Sequence, residues 1–271
     1  MDNFYLSVNE QEIISKYLKK GYLVHDILDK SNLELISNRI WETAKKCFPH
    51  ELPNISRDDF FNNTHQFLSV DLLNPFRVKI LDSIASDATL RLAYFRIAKD
   101  ILDIIVGNEL AMQLRLNLSI QIPGDESSLL PVHADTWSGD SPFEVVVWLP
   151  LVNCYKSKSM YILPQNKKHA IDDAFANSGN STSEMLFKYI ESDIESLKIN
   201  FGQLLIFNQG LPHGNRVNLE SETRWSMNCR FKGVFTPYKD KKVGDFFEPI
   251  TLRPASLNGI GYIYPEVKSE T

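Results

Sequence analysis

Residues 113–122, QLRLNLSIQI, alternate between apolar and polar side chains along the whole segment. Because successive side chains of a β-strand point to opposite faces, this pattern predicts a strand whose two faces differ in chemistry. The leucines and isoleucines would pack into a core. The polar face carries Asn117, Ser119 and Gln121, which either face water or line the interior of a barrel that binds a polar ligand.

Further segments with strand character follow, separated by turns that contain Pro, Gly or Asn. They are FEVVVWLPL at 143–151, SMYILP at 159–164, FGQLLIFN at 201–208 and RWSMNCRFKGVF at 224–235. Helical patterns dominate before residue 110. Helices followed by a run of strands predict an α+β protein, in which the helices pack on one sheet of a sandwich or jelly roll.

Three helix signals are specific enough to test. Ser31 and Glu34 have the spacing of a capping box at the start of a helix. Asn74-Pro75 favours the first turn of another helix, since proline is tolerated there. TLRLAYFRIAKDILDIIV at 89–106 predicts one long helix that ends at Gly107.

No repeat, low-complexity tract or linker divides the 271 residues. We therefore predict a single domain over 1–271, with a helical part at about 1–110, a β core at about 111–235 and a loosely held tail at 236–271.

Composition excludes several classes of function. The net charge is −5 and no basic block is present, which disfavours binding to nucleic acid or an anionic membrane. No segment is apolar enough for a membrane span, and the first residues lack the pattern of a secretory signal. Three widely spaced cysteines fit reduced thiols, so we predict a cytoplasmic protein.

His133 and Asp135 stand two residues apart in PVHADTWSGDSPFE, at a predicted strand end. Residues i and i+2 of a strand project to the same side, so both side chains could reach one metal ion. The alternative is a hydrogen-bonded pair beside a turn. Trp137 and Asp140 in the same loop either touch a substrate or serve the turn.

A third ligand is available in FNQGLPHGNRVNLESETRWSMNCRF, where His213 precedes the last strong strand. Two imidazoles and a carboxylate on one side of an octahedral ion leave positions open, which suits non-haem Fe(II). A structural zinc site would be closed by four ligands, commonly including cysteine. Arg224 and Arg230 fall on one face of the last strand, and an ion pair of Arg224 with Glu220 or Glu222 is the alternative to a ligand-binding role.

His133-Ala134-Asp135, His213 and Arg224 together resemble the HxD…H…R signature of the Fe(II)/2-oxoglutarate-dependent oxygenases, in particular the phytanoyl-CoA-hydroxylase-like branch. WLPLVNCYKSKSMYILPQNKKH at 148–169 is similar to the stretch between the metal motifs of that branch. SSLLPVHADTWSGDSPFEVVVWLPL further resembles a subgroup associated with bacterial carbohydrate biosynthesis clusters.

The resemblance implies a double-stranded β-helix, that is, a jelly-roll or cupin-like core, with N-terminal helices on one sheet. It implies His133, Asp135 and His213 as catalytic ligands of Fe(II), with 2-oxoglutarate and O2 as cosubstrates. Arg224 would hold the distal carboxylate of 2-oxoglutarate, with Arg230 as its competitor. The further candidate cosubstrate contacts are Ser226, Trp148 and Asn117, although Trp148 also fits a core position.

The implied reaction is oxidation, most simply hydroxylation, of a C–H bond in a sugar, a nucleotide sugar or a related small polar metabolite, with release of succinate and CO2. Two rivals stay open: a metal-independent cupin-type sugar epimerase, which would need a histidine base and a tyrosine acid, and a non-catalytic jelly roll that binds sugar or metal. The sequence does not decide the oligomeric state.

Overall fold

The computed structural model of the protein describes residues 5–172 and 182–265. Helices form much of the chain before residue 106. They are α1 (Val8–Lys20), α2 (Lys30–Cys47), α3 (Arg57–Asn63), α4 (Val70–Ile84), α5 (Ala88–Arg96) and α6 (Lys99–Ile105). Later helices are α7 (Ser183–Ile190) and α8 (Pro254–Ile260). Among the helices of the described ranges, none combines the length and the apolar character needed to cross a membrane.

The strands pair antiparallel in two sheets. They are β1 (Tyr22–Asp26), β2 (Leu110–Gln113), β3 (Asn117–Gln121), β4 (Leu130–His133), β5 (Glu144–Pro150), β6 (Tyr161–Ile162), β7 (Glu195–Ser196), β8 (Gln203–Asn208), β9 (His213–Asn215), β10 (Arg224–Gly233) and β11 (Phe247–Pro249). The large sheet has the order β1-β8-β5-β10-β2-β11, and β3 also pairs with β10. The small sheet has the order β4-β9-β6-β7.

The two faces of β10 explain how the layers are arranged. The apolar face is fully buried and carries Trp225, Met227, Cys229 and Phe231. The Trp225 ring packs on Phe60 and Phe61 of α3, with centroid distances of 5.9 and 5.0 Å. The helices therefore cover the outer face of the large sheet, as predicted. The opposite face of β10 is polar and is turned towards the small sheet.

The start of α2 differs from the prediction. Asp29, not Ser31, is the N-cap, and its carboxylate accepts from the backbone N–H of Asn32 at 3.0 Å. Ser31 instead donates its hydroxyl to Asp29 at 2.7 Å, while Glu34 forms an ion pair with Arg57. The capping-box prediction was wrong because two acceptors compete at this turn, and the earlier carboxylate is the one used.

Packing also overrides two other helix predictions. Helix α4 begins at Val70, so Pro75 lies inside it, and buried Leu73 and Phe76 show that its apolar stripe spans the proline. The predicted helix at 89–106 is two helices that meet at Ile97 and Ala98. Both residues are buried, so the chain turns there to place them in the core without a glycine or proline.

The predicted strand at 113–122 is also divided. Strands β2 and β3 pair with different parts of β10, and between them the backbone N–H of Leu114 bonds to the carbonyl of Phe246 at 2.8 Å. The same C-terminal region supplies β11, which pairs with β2. Part of the predicted tail thus extends the large sheet.

Candidate metal centre

His133 and His213 face each other across neighbouring strands. His133 ends β4, His213 begins β9, and the two residues are direct partners in the small sheet. Their ring centroids lie 4.3 Å apart. Directly opposed residues of an antiparallel pair have their Cβ atoms closest together, so the pairing of the strands itself brings two imidazoles to one point.

Asp135 joins this pair from the turn that follows β4. Its Oδ1 atom lies 3.8 Å from Nε2 of His133. One ligand atom of each of the three residues lies within 4.8 Å of the others, a cluster able to hold a metal ion. The turn closes at Gly139, whose φ of 89° suits glycine and redirects the chain immediately after the carboxylate.

Hydrogen bonds select the tautomer of both histidine rings. Nδ1 of His133 lies 2.9 Å from the carbonyl of Pro131, and Nδ1 of His213 lies 2.9 Å from the carbonyl of Leu211. A carbonyl oxygen can only accept, so each Nδ1 carries the proton and donates it. In the neutral ring, Nε2 then presents a lone pair to a metal, the arrangement usual for histidine ligands.

Burial reinforces this state at His213. Desolvation, followed by the nearby His133, lowers the pKa of His213 to about 4. The ring is therefore neutral at physiological pH. Phe207 packs edge-on against it at 4.9 Å and holds its orientation. A donor set of two imidazoles and one carboxylate fits a non-haem Fe(II) site with open positions.

A cavity of about 240 Å³ adjoins these three residues and lies between the two sheets. Its remaining lining residues are Asn117, Ser119, Leu130, Val146, Trp148, Met160, Phe207, Gly214, Asn215, Arg224, Asn228 and Arg230. Of the candidate cosubstrate residues, Trp148, Asn117 and Arg224 line it. Ser226 is buried on the same face of β10 but is not among the lining residues.

Arg224 is buried without a carboxylate partner among the described residues. Its Nη2 atom donates to Ser119 at 3.2 Å, while Nε and Nη1 have no hydrogen-bond partner within the described ranges. Burial lowers the pKa of the guanidinium, yet arginine stays charged in proteins. Glu222 pairs with Lys158 at 2.7 Å, so it does not neutralise Arg224. A buried cation with free donors is costly unless an anion accepts from it.

Unlike Arg224, Arg230 forms ion pairs with two carboxylates. Its two terminal nitrogens contact Asp135 at 3.1 Å and Asp140 at 3.0 Å. Lys241 adds a second cation to Asp140 at 2.6 Å. Sequence reasoning placed Arg230 on the correct strand face but missed this pairing, because Asp140 and Lys241 reach it from two loops.

Other lining residues were also missed. Asn228 is paired with Asn117, whose amide donates to it at 2.8 Å. Asn215 follows His213 by two residues and donates to the carbonyl of Ser128 at 3.0 Å. The i+2 relation to His213 was a signal that could have identified Asn215.

Comparison with known proteins supports the fold. No family model matches the chain, and no curated protein matches it. Among solved structures, ThoJ, a non-heme monooxygenase in a nickel complex, is 14% identical over 96% of this chain and 89% of its own, with a TM-score of 0.56. HygX from Streptomyces hygroscopicus, with nickel and 2-oxoglutarate bound, is 13% identical over 86% and 89%, with a TM-score of 0.51.

EctD from S. alaskensis in its apoform is 14% identical over 91% of this chain and 85% of its own, with a TM-score of 0.52. These likenesses show that the chain shares the fold of these three proteins, and the predicted jelly-roll core with N-terminal helices is confirmed. The predicted branch and the carbohydrate subgroup stay predictions.

Proposed function

We propose that the protein is an Fe(II)- and 2-oxoglutarate-dependent oxygenase. It oxidises, most simply by hydroxylation, a C–H bond of a sugar, a nucleotide sugar or a related small polar metabolite, and releases succinate and CO2. His133, Asp135 and His213 hold the metal. When bound, Fe(II) supplies the activation of O2, with electrons from the oxidative decarboxylation of 2-oxoglutarate.

The observation that carries this proposal is the buried Arg224 guanidinium, which lines the same cavity as the three metal-binding candidates. Nη1 has no partner among the described residues and Nη2 has a second N–H, so this pair is suited to the two oxygens of one carboxylate. A keto diacid would place its keto acid end at the metal and its distal carboxylate at Arg224. The ion pairs of Arg230 with Asp135 and Asp140 favour Arg224 over Arg230 for this role.

The other predicted cosubstrate contacts, Trp148, Ser226 and Asn117, have secondary roles in this proposal. Trp148 forms an apolar wall of the cavity that helps to exclude water from the reacting centre. Ser226 has a buried hydroxyl with no partner among the described residues, two positions from Arg224, and could donate to the same carboxylate. Asn117 and Asn228 offer amide groups to a hydroxyl-rich substrate, which supports a carbohydrate-related class.

The test is anaerobic reconstitution with Fe(II) and 2-oxoglutarate, followed by exposure to O2 and measurement of succinate and oxygen uptake. We expect the wild type to bind both components and to show slow substrate-independent turnover. Asp135→Ala should lose metal binding and succinate formation. Arg224→Gln should retain the metal but bind 2-oxoglutarate about 100-fold more weakly, because two charge-assisted hydrogen bonds are lost. Full turnover by Asp135→Ala would overturn the proposal.

The same experiment separates the two rival functions. A metal-independent epimerase would not need Fe(II), and the described lining of the cavity contains no tyrosine to act as its acid. A binding protein without catalysis would take up metal or sugar but form no succinate. Screening nucleotide sugars for oxygen-dependent succinate formation then addresses the substrate class.

A further inference from the structure

A second cavity of about 470 Å³ adjoins the metal cavity. It lies between α4, strand β3 and the loop that leads into β4. Ser119, Leu130 and Asn215 line both cavities. The two cavities are therefore neighbours that share three wall residues.

Arg77 of α4 brings a positive charge to this second cavity. Its Nη2 atom donates to the amide oxygen of Asn74 at 2.7 Å, and Nη1 lies 3.5 Å from the carbonyl oxygen of Leu118. Both partners are neutral, and Arg77 forms no ion pair within the described residues. By comparison, Arg57 of α3 pairs with Glu34 and Asp58.

The loop of residues 125–129, which also borders this cavity, is held in place by the side chain of Asp125. The carboxylate of Asp125 accepts the hydroxyls of Ser127 and Ser128, and Ser127 also donates its backbone N–H to it at 2.8 Å. Asp125 is buried and does not line the cavity. Its charge is thus satisfied inside the loop, which leaves Arg77 as the charged group among the described lining residues.

We propose that this second cavity binds an anionic group of the substrate, a phosphate or a carboxylate, through Arg77. A guanidinium presents a planar fork of donors that matches either group. The anion would anchor the substrate at α4, while the carbon to be oxidised extends past Ser119 and Asn215 into the metal cavity. This inference rests on the proposed function, and it narrows the substrate class to anionic metabolites.

The test measures anion binding separately from metal chemistry. Metal-free protein, full chain, is titrated by calorimetry with inorganic pyrophosphate and with tricarballylate. Arg224→Gln serves as the background, so that the guanidinium of the metal cavity does not contribute to anion binding. We expect Arg77→Gln to weaken the preferred anion about tenfold, and Arg77→Lys to retain part of the affinity. Lys79→Gln removes the same charge from the exposed side of α4 and should bind as the parent does.

Preference for pyrophosphate would assign a phosphate-bearing substrate, and preference for tricarballylate a carboxylate-bearing one. Anion binding that is equal in Arg77→Gln and its parent, with unchanged thermal unfolding, would overturn the inference. So would binding that disappears with Arg224→Gln alone. If wild-type protein with Fe(II) fails to bind 2-oxoglutarate while Arg77-dependent anion binding persists, the proposed function fails and the anion site stands.

Discussion

The two faces of β10 differ in how completely their atoms are satisfied. On the helix-facing side, Trp225 is buried in an aromatic cluster, and its indole N–H donates to Thr64 at 2.9 Å. On the cavity-facing side, Arg224 and Ser226 are also buried, yet three of their polar atoms have no partner in the part of the chain that the structure describes. Since buried polar groups in native proteins are normally hydrogen-bonded, the first face is complete as folded, and we propose that a ligand completes the second.

The largest expected effect is a loss of stability from a substitution on the helix-facing side of β10. Trp225→Ala should lower the free energy of unfolding by about 3–5 kcal/mol, because it removes a fully buried ring and leaves a cavity against α3. Urea denaturation measures this change. The matched variant on the other face, Asn228→Ala, should cost less than about 1.5 kcal/mol, because it removes a neutral hydrogen bond at a cavity wall. Equal losses would mean that both faces serve stability alike.

Sequence periodicity predicted both faces of β10, because alternation depends only on local backbone geometry. It could not predict where the predicted strand at 113–122 divides, since that break depends on a hydrogen bond between Leu114 and Phe246, far apart in sequence. The His133, Asp135 and His213 cluster followed from motif spacing and family resemblance. The sequence did not predict that Arg230 is paired with carboxylates while Arg224 is not. Asp140, which pairs with Arg230, lies on a loop that only folding brings next to β10.

A second prediction sharpens the comparison within the cavity face. Asp140→Asn should weaken metal binding about tenfold, because Arg230 loses one of its two carboxylates and competes more strongly for Asp135. Calorimetric titration with Ni(II) measures the affinity. Asp245→Asn, an exposed acid four residues after Lys241, is the control and should bind Ni(II) as the wild type does. An unchanged affinity of Asp140→Asn for Ni(II) would show that loss of the Asp140 charge does not make Arg230 compete with the metal for Asp135.

The smallest expected effect concerns Ser226. Its hydroxyl is buried like the apolar side chains of β10 and, like Arg224, has unused hydrogen-bonding capacity among the described residues. If the hydroxyl donates to the carboxylate held by Arg224, Ser226→Ala should weaken 2-oxoglutarate binding about two- to fivefold, as expected for one modest hydrogen bond. Without ligand, the variant should be as stable as the wild type or slightly more stable, because an unsatisfied buried group is removed. Thermal unfolding with and without 2-oxoglutarate and Ni(II) measures both effects. If Ser226→Ala loses stability without ligand and keeps full affinity for 2-oxoglutarate, the hydroxyl contributes to packing and not to ligand binding. Arg224 would then bind the carboxylate without help from Ser226.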